Sequence, residues 1–354
     1  MLVKDNKYIP AKDRDFFILL RAGLWQRVEE ELSPKPDWSY ILRLSCEQTV
    51  QGIVADGLAL YRSVRPDCDI PSGIIDNFLS QTAQIIRRNH QLNDKQAEIS
   101  ERLDNADIPH YVVKGQEAAK NYPKPLLRCA GDIDFLLRRE DFEKACTLLE
   151  GLADSSDTLN EYLVHRGFFF SDMEVELHGA LHPNLGKNID IVIDKVQGEL
   201  FSGSISYNTF AALYIFLHCI QHFHWSGLGI RQIIDWTMMT EAEDINLEYV
   251  SGKIAEMDLT REYSNFLNFS LTWLGKDASS ALPDAVSGRI WAAIRASGNM
   301  GHNNAVRRNP NFFVRNLQGL YHLVRNYFRT CRISPSASRR IVCVKLASYA
   351  EKLR

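Results

Sequence analysis

No stretch of about 18 uncharged apolar residues occurs in the 354-residue chain, which argues against a membrane-spanning helix. The first residues, Met1-Leu2-Val3-Lys4-Asp5-Asn6-Lys7, lack the apolar run of an export signal. There is no C-x-x-C pair. The seven cysteines are scattered at 46, 68, 129, 146, 219, 331 and 343, an odd set that predicts free thiols in a reducing cytoplasm. The patterns G-x-x-x-x-G-K-[ST], G-x-G-x-x-G and G-x-S-x-G are also missing, which removes the P-loop, Rossmann and α/β-hydrolase readings. No internal repeat or low-complexity tract is present.

What is present is the composition of an ordinary globular protein, 45% apolar and 24% charged, long enough for two or three compact units. The net charge of −3 hides an asymmetry. From His302 to Arg354 there are 11 Lys or Arg and one acid, Glu351, so this end carries about +10 and the rest about −13. A basic end of that size predicts an anionic partner or an acidic surface on the same molecule.

The most informative stretch is Tyr111 to Leu137. Gly131-Asp132-Ile133-Asp134-Phe135-Leu136-Leu137 reads as a buried strand, and its period of two sets Asp132 and Asp134 on one side. Two buried like charges require compensation, and the simplest compensator is a divalent cation such as Mg²⁺. Upstream, His110 to Val113 reads as a strand ending at Lys114-Gly115, and Gln116 to Asn121 as one or two helical turns. Glycine there permits a sharp turn, and a helix start offers N–H groups to an anion. Lys114 and Arg128 add cations on the two sides of this unit, within expected reach of a triphosphate.

Lysine-glycine, a short helix ending in Tyr122-Pro123, an arginine, then Gly-Asp-x-Asp on a strand resembles the nucleotidyltransferase fold of the DNA polymerase β superfamily. It is most similar to the uncharacterised bacterial NTP_transf_5-like branch, over roughly residues 83 to 240. That resemblance implies a third carboxylate, matched by Glu176 in Val175-Glu176-Leu177-His178, with Glu174 on the same strand face as the alternative. It implies Asp132, Asp134 and Glu176 as metal ligands and catalytic groups for Mg²⁺ or Mn²⁺. It also places Lys114, Gly115, Gln116 and Arg128 at the nucleotide, ATP being the expected one; Gln116 stands where the superfamily commonly has Gly or Ser. Leu213–Trp236 is similar to the family's His-rich helix and following Arg-containing helix, which sets His178, His218, His222 and Arg231 on a possible acceptor side.

His218 and His222 also stand at i, i+4, a ligand spacing for zinc, though no Glu follows His218. Buried structural histidines, acceptor contacts and metal ligands all remain open for this pair.

The expected fold class is α+β, a nucleotidyltransferase-like mixed sheet with flanking helices. A helical segment over 1–82 precedes the catalytic unit at 83–200, and an all-α region at 201–354 follows. Helices are expected over 12–33, 38–62, 74–104 and 141–151, strands over 163–170 and 173–178 around a Ser171-Asp172 turn, and seven further helices from Tyr207 onward. The helix over 311–329 carries Phe313, Leu317, Leu320, Tyr321, Val324 and Phe328 as one stripe, expected to face the core. A surface for nucleic acid or anionic lipid is the competing reading.

The implied activity is transfer of an NMP from an NTP to an unidentified hydroxyl-bearing acceptor (sugar, small metabolite, peptide or protein) with release of pyrophosphate. The alternatives are a catalytically silent nucleotide-binding or partner-binding module of the same fold, and a nucleic-acid-directed transferase using the basic C-terminal tail.

Overall fold

The computed structural model describes residues 7–160, 164–276, 282–299 and 312–352. Four helices come first: α1 (Ala11–Trp25), α2 (Trp38–Glu47), α3 (Gln51–Val64) and α4 (Ser72–Asn105). The mixed unit follows as β1 (His110–Val113), α5 (Gly115–Ala119), β2 (Ile133–Leu137), α6 (Phe142–Glu150), β3 (Ser155–Ser156), β4 (His165–Phe170), β5 (Met173–His178) and α7 (Lys187–Phe201). Then come α8 (Tyr207–Trp225), α9 (Ile230–Met239), α10 (Leu247–Glu256), α11 (Thr260–Trp273), α12 (Ala285–Ser297), α13 (Phe312–Thr330) and α14 (Pro335–Lys352). This is the expected α+β architecture. The sheet order is β1-β2-β5-β4-β3, with β2 and β5 parallel and the other neighbours antiparallel.

Three early elements differ from expectation. α1 stops at Trp25 because Gln26 turns left-handed (φ 54°), and residues up to Ser33 fold back, where Asp15 accepts from Ser33 N and Oγ at 2.9 and 2.6 Å. The single helix expected over 38–62 is two, broken where Thr49 adopts φ 53°. The break frees Gln48, whose buried Oε1 accepts from Ile230 N at 2.9 Å and so serves the start of α9. α7 is a helix that the expected elements did not include; the residues it buries (Ile189, Val192, Ile193, Val196 and Leu200) fall at helical spacing.

The sheet has two different faces. Ile133, Phe135 and Leu137 of β2, with Phe168, Phe170, Val175 and Leu177, form a core with Leu92, Ile99 and Leu103 of α4 and with α6. Asp134 and Leu136 point the other way, and Leu136 joins the core of the helical body. That body joins the first helices to the last: Phe17 stacks edge-on against both Trp273 and Trp291, at 5.3 and 4.8 Å between ring centres. Residue 82 lies inside α4, and 200 near the end of α7.

α13 departs from the expected burial. Leu323 is buried, whereas Leu320, Tyr321, Val324 and Phe328 are 42, 64, 47 and 72% exposed. The side chains of Phe313 and Leu317 lie outside the described residues. Beside Leu323 in the core, described polar contacts hold the helix: Arg329 donates to Ala293 O and to Ser297 Oγ, and His224 of α8 sits between Thr330 and Ser334 at 3.0 and 2.9 Å.

Two predictions follow from this packing. A Cβ at Gly57 of α3 would lie 1.9 Å from Leu19 O of α1, backbone against backbone, so Gly57→Ala must push the helices apart. Overpacking of this kind costs about 1–3 kcal/mol or more, and chemical denaturation should show an earlier midpoint; an unchanged one would contradict the crossing. Burial lowers the His224 pKa from 6.5 to about 3, so the unfolded chain binds more protons between those values. Stability should therefore fall as pH drops from about 6.5 towards 3, with a slope that His224→Gln flattens in a series of melting curves.

Candidate active site

The parallel register of β2 and β5 sets Asp134 directly beside Glu176. The antiparallel hairpin of β4 and β5 then sets His165 beside His178. Because side chains alternate along a strand, Asp134, Glu176, His178 and His165 all rise from the same face. Asp132 lies just before β2, not inside it as the sequence suggested, yet its carboxylate converges with Asp134 and Glu176, all ligand atoms within 4.8 Å of one another. Glu174 is on this face too but does not line the cavity. Burial and the charges of Glu176 and Asp132 raise its pKa.

The carboxylates form one wall of a cavity of about 310 Å³. The opposite wall comes from α8 and α9: Tyr214, His218 and His222 at successive i+4 positions, with Arg231. Burial pushes both histidines down, His218 well below its ordinary value and His222 to about 4, so both imidazoles are neutral at neutral pH. Their rings meet edge to face at 4.3 Å, and His222 Nδ1 lies 2.8 Å from Ser226 Oγ.

Lys114 is the cation nearest the acids. Its backbone is strained at φ 59°, ψ −135°, a conformation that non-glycine residues keep only when their surroundings enforce it. Its Nζ lies 2.5 Å from Asp134 Oδ1. Burial alone would lower its pKa, but Asp134, with Asp132 and Glu176 behind it, holds it well above the usual lysine value. Burial likewise works against ionising Glu176, and contacts from His165 and His178 more than reverse this. Asp134 is 1% exposed; burial pushes its carboxyl up while Lys114 draws it back, and its Oδ2 has no hydrogen-bond partner among the described residues. A buried, unpartnered carboxylate oxygen beside two further carboxylates fits a divalent cation.

The phosphate-side residues divide. Gly115 lines the cavity, and a Cβ there would come within 3.3 Å of Asp132 O. Gln116 is buried outside the cavity lining, with neither amide atom partnered among the described residues.

Arg128, expected to touch a triphosphate, lines the same cavity as Lys114 and Gly115 and is engaged there in an ion pair. It is 4% exposed and grips Asp235 of α9 with two prongs, Nε to Oδ1 at 2.6 Å and Nη2 to Oδ2 at 2.7 Å, while Tyr122 donates to the same Oδ1 at 2.6 Å. Burial opposes its charge, and Asp235 restores it, raising the pKa above the ordinary arginine value.

Arg231 is the less neutralised cation: it donates to Cys129 O, its Nε is unpartnered, and no carboxylate pairs with it among the described residues. Burial accordingly lowers its pKa.

The sequence reading missed His165 and Tyr214. Counting outward from the hairpin turn, where Phe170 faces Met173, pairs 165 with 178. Stepping back four residues from His218 gives Tyr214.

A sheet of this topology with three convergent carboxylates defines a nucleotidyltransferase-like site. The sequence profile of the uncharacterised nucleotidyltransferase family NTP_transf_5 matches residues 34–275, and the chain belongs to that family; it is a nucleotidyltransferase-family enzyme. No curated protein and no solved structure matches it. The matched span begins before α2 and ends beyond α11, so it takes in the helices packed around the site as well as the sheet.

Asp235→Ala should leave the buried Arg128 guanidinium without its carboxylate, a change that costs about 3–5 kcal/mol in comparable buried pairs. A melting temperature within a degree or two of the parent would show that this pair does not join the sheet to α9.

Proposed function

We propose that the protein transfers a nucleoside monophosphate from an NTP to a hydroxyl-bearing acceptor, with Mg²⁺ or Mn²⁺ held by Asp132, Asp134 and Glu176. The observation that supports this most is the convergence of the three carboxylates around the unpartnered Asp134 Oδ2. When bound, such ions stabilise the attacking and leaving oxygens of an in-line displacement.

The chain's own residues have separate tasks in this reading. Asp132 and Asp134 bind the cation, and Glu176, at the side of the set nearest the histidines, accepts the proton of the acceptor hydroxyl. Lys114 now neutralises Asp134. Were a dication to take over that neutralisation, the Lys114 ammonium would be available to a triphosphate beside Gly115, which carries no side chain into the cavity. Arg231 and Arg128, both in the cavity lining, supply further positive groups for the phosphates or the acceptor. Tyr214, His218 and His222 offer uncharged hydrogen-bonding groups suited to hydroxyls. ATP is the first nucleotide to test, and sugars, small metabolites and peptides are the first acceptors. The basic tail keeps a nucleic-acid acceptor in the comparison.

Pyrophosphate release from each of the four NTPs with Mg²⁺ and pooled acceptors tests the reading. Asp134→Asn and Asp132→Asn should each lower the rate by about a hundredfold or more while the melting temperature holds, since each removes charge stabilisation aimed at the reacting phosphate. Nucleotide that raises the melting temperature without ever releasing pyrophosphate would replace transfer by a silent nucleotide-binding role.

A further inference from the structure

Beside the three carboxylates lies a second potential ligand set. Glu176 Oε2 is 3.3 Å from His165 Nε2 and 3.2 Å from His178 Nε2, and the two rings lie 4.8 Å apart. His178 Nε2 is also 2.9 Å from Asp134 Oδ1. A ring nitrogen carries one proton or one lone pair, so this nitrogen cannot make a good hydrogen bond to both carboxylates at once. The separations from Glu176 exceed the ~2.7–2.9 Å of a charge-assisted N–H···O bond. They match the edge of a tetrahedron whose centre lies ~2.0–2.1 Å from each corner, about 3.3–3.4 Å, the geometry of zinc with nitrogen and oxygen ligands.

We propose that His165, Glu176 and His178 form a binding site for a borderline transition-metal dication, Zn²⁺ foremost. Two imidazoles and one carboxylate suit such an ion, whereas Mg²⁺ favours an all-oxygen shell. The set is fixed by backbone pairing: His165 faces His178 across the hairpin, and Gly167, opposite Glu176, puts no side chain over it. His165 belongs to this set alone, while Glu176 is shared with the carboxylates proposed for Mg²⁺. An ion held by the histidines therefore takes Glu176 from that set, and Zn²⁺ should compete with Mg²⁺ for the protein. The inference does not require nucleotidyl transfer.

The test measures Zn²⁺ affinity of the full chain by competition with a chromophoric chelator, without nucleotide, and the visible spectrum of the Co²⁺ form. Eight further histidines and seven cysteines could bind zinc elsewhere, so the decisive quantity is dependence on His165. His165→Ala and the gentler His165→Asn, each checked for an unchanged melting curve, should weaken Zn²⁺ by at least about tenfold, because even a lost outer partner of a ligand costs that much. The Co²⁺ bands of a low-coordinate nitrogen site should fade with them, and Asp132→Asn should change Zn²⁺ affinity by less than about threefold. Equal affinity in the His165 variants, no Zn²⁺ binding by the parent, or loss in Asp132→Asn alone would overturn the proposal. Pyrophosphate release is scored separately, so failure of the transfer reading and failure of the zinc site are distinguishable.

Discussion

The parallel pairing of β2 with β5 sets two acidic side chains, Asp134 and Glu176, next to each other on a half-enclosed sheet face. Nothing in sheet formation favours that arrangement, since like charges directly opposite repel and burial removes the water that would screen them. The surroundings are organised as a response. Lys114 is held in a strained backbone conformation with its ammonium against Asp134, and His178 and His165 close on Glu176. The protein thus concentrates negative charge and keeps it ionised with groups that can be displaced. That is the condition of a site built to receive cations, where stability is given up for chemistry.

A second buried ion pair does a different job. Arg128 sits at the approach to β2, and Asp235 is on α9, the helix that also supplies Arg231 to the cavity wall. Their two-pronged contact, with Tyr122 on the same carboxylate, clamps the acidic wall to the helical wall at a fixed separation. Asn89 of α4 reinforces it by donating to Leu126 O and Arg128 O, both at 2.8 Å. Like Lys114, Arg128 lines the cavity, but its carboxylate partner belongs to the helical wall and not to the acidic set.

The nearness of Asp132 to Asp134 and the hairpin at Ser171-Asp172 were legible from short-range rules, the period of a strand and the turn between two strands, whereas the fold and the third carboxylate, Glu176, were legible only through the family resemblance. The lengths of the later helices were legible from short-range rules too, as their apolar spacing is regular. What escaped notice depends on partners distant in sequence. Arg128 looks like any motif arginine until Asp235, far along the chain, occupies both its prongs. Gln48 and Thr49 look helical, and only the need to serve the start of α9 explains the break there. The stripe on α13 misled because regular spacing shows that a helix has an apolar face without showing which neighbour covers it; its buried contact is Leu323, on another side.

The two walls of the cavity carry opposite electrostatic designs, and this narrows what can bind between them. The sheet wall is anionic and repels a bare triphosphate. The helical wall holds neutral imidazoles and a cation, Arg231, that pairs with no carboxylate among the described residues. A polyanion entering alone would meet repulsion on one side and modest attraction on the other; a dication held by the carboxylates would supply the charge that offsets this repulsion. Binding of metal and nucleotide should then be mutually dependent, because each removes the main electrostatic cost of the other. An acceptor presented from α8 would meet neutral nitrogens and a phenol, groups that hydrogen-bond hydroxyls without fixing a charge. In the proposed reaction this asymmetry would set an uncharged hydroxyl on the helical side and phosphate oxygens near Lys114 and Gly115.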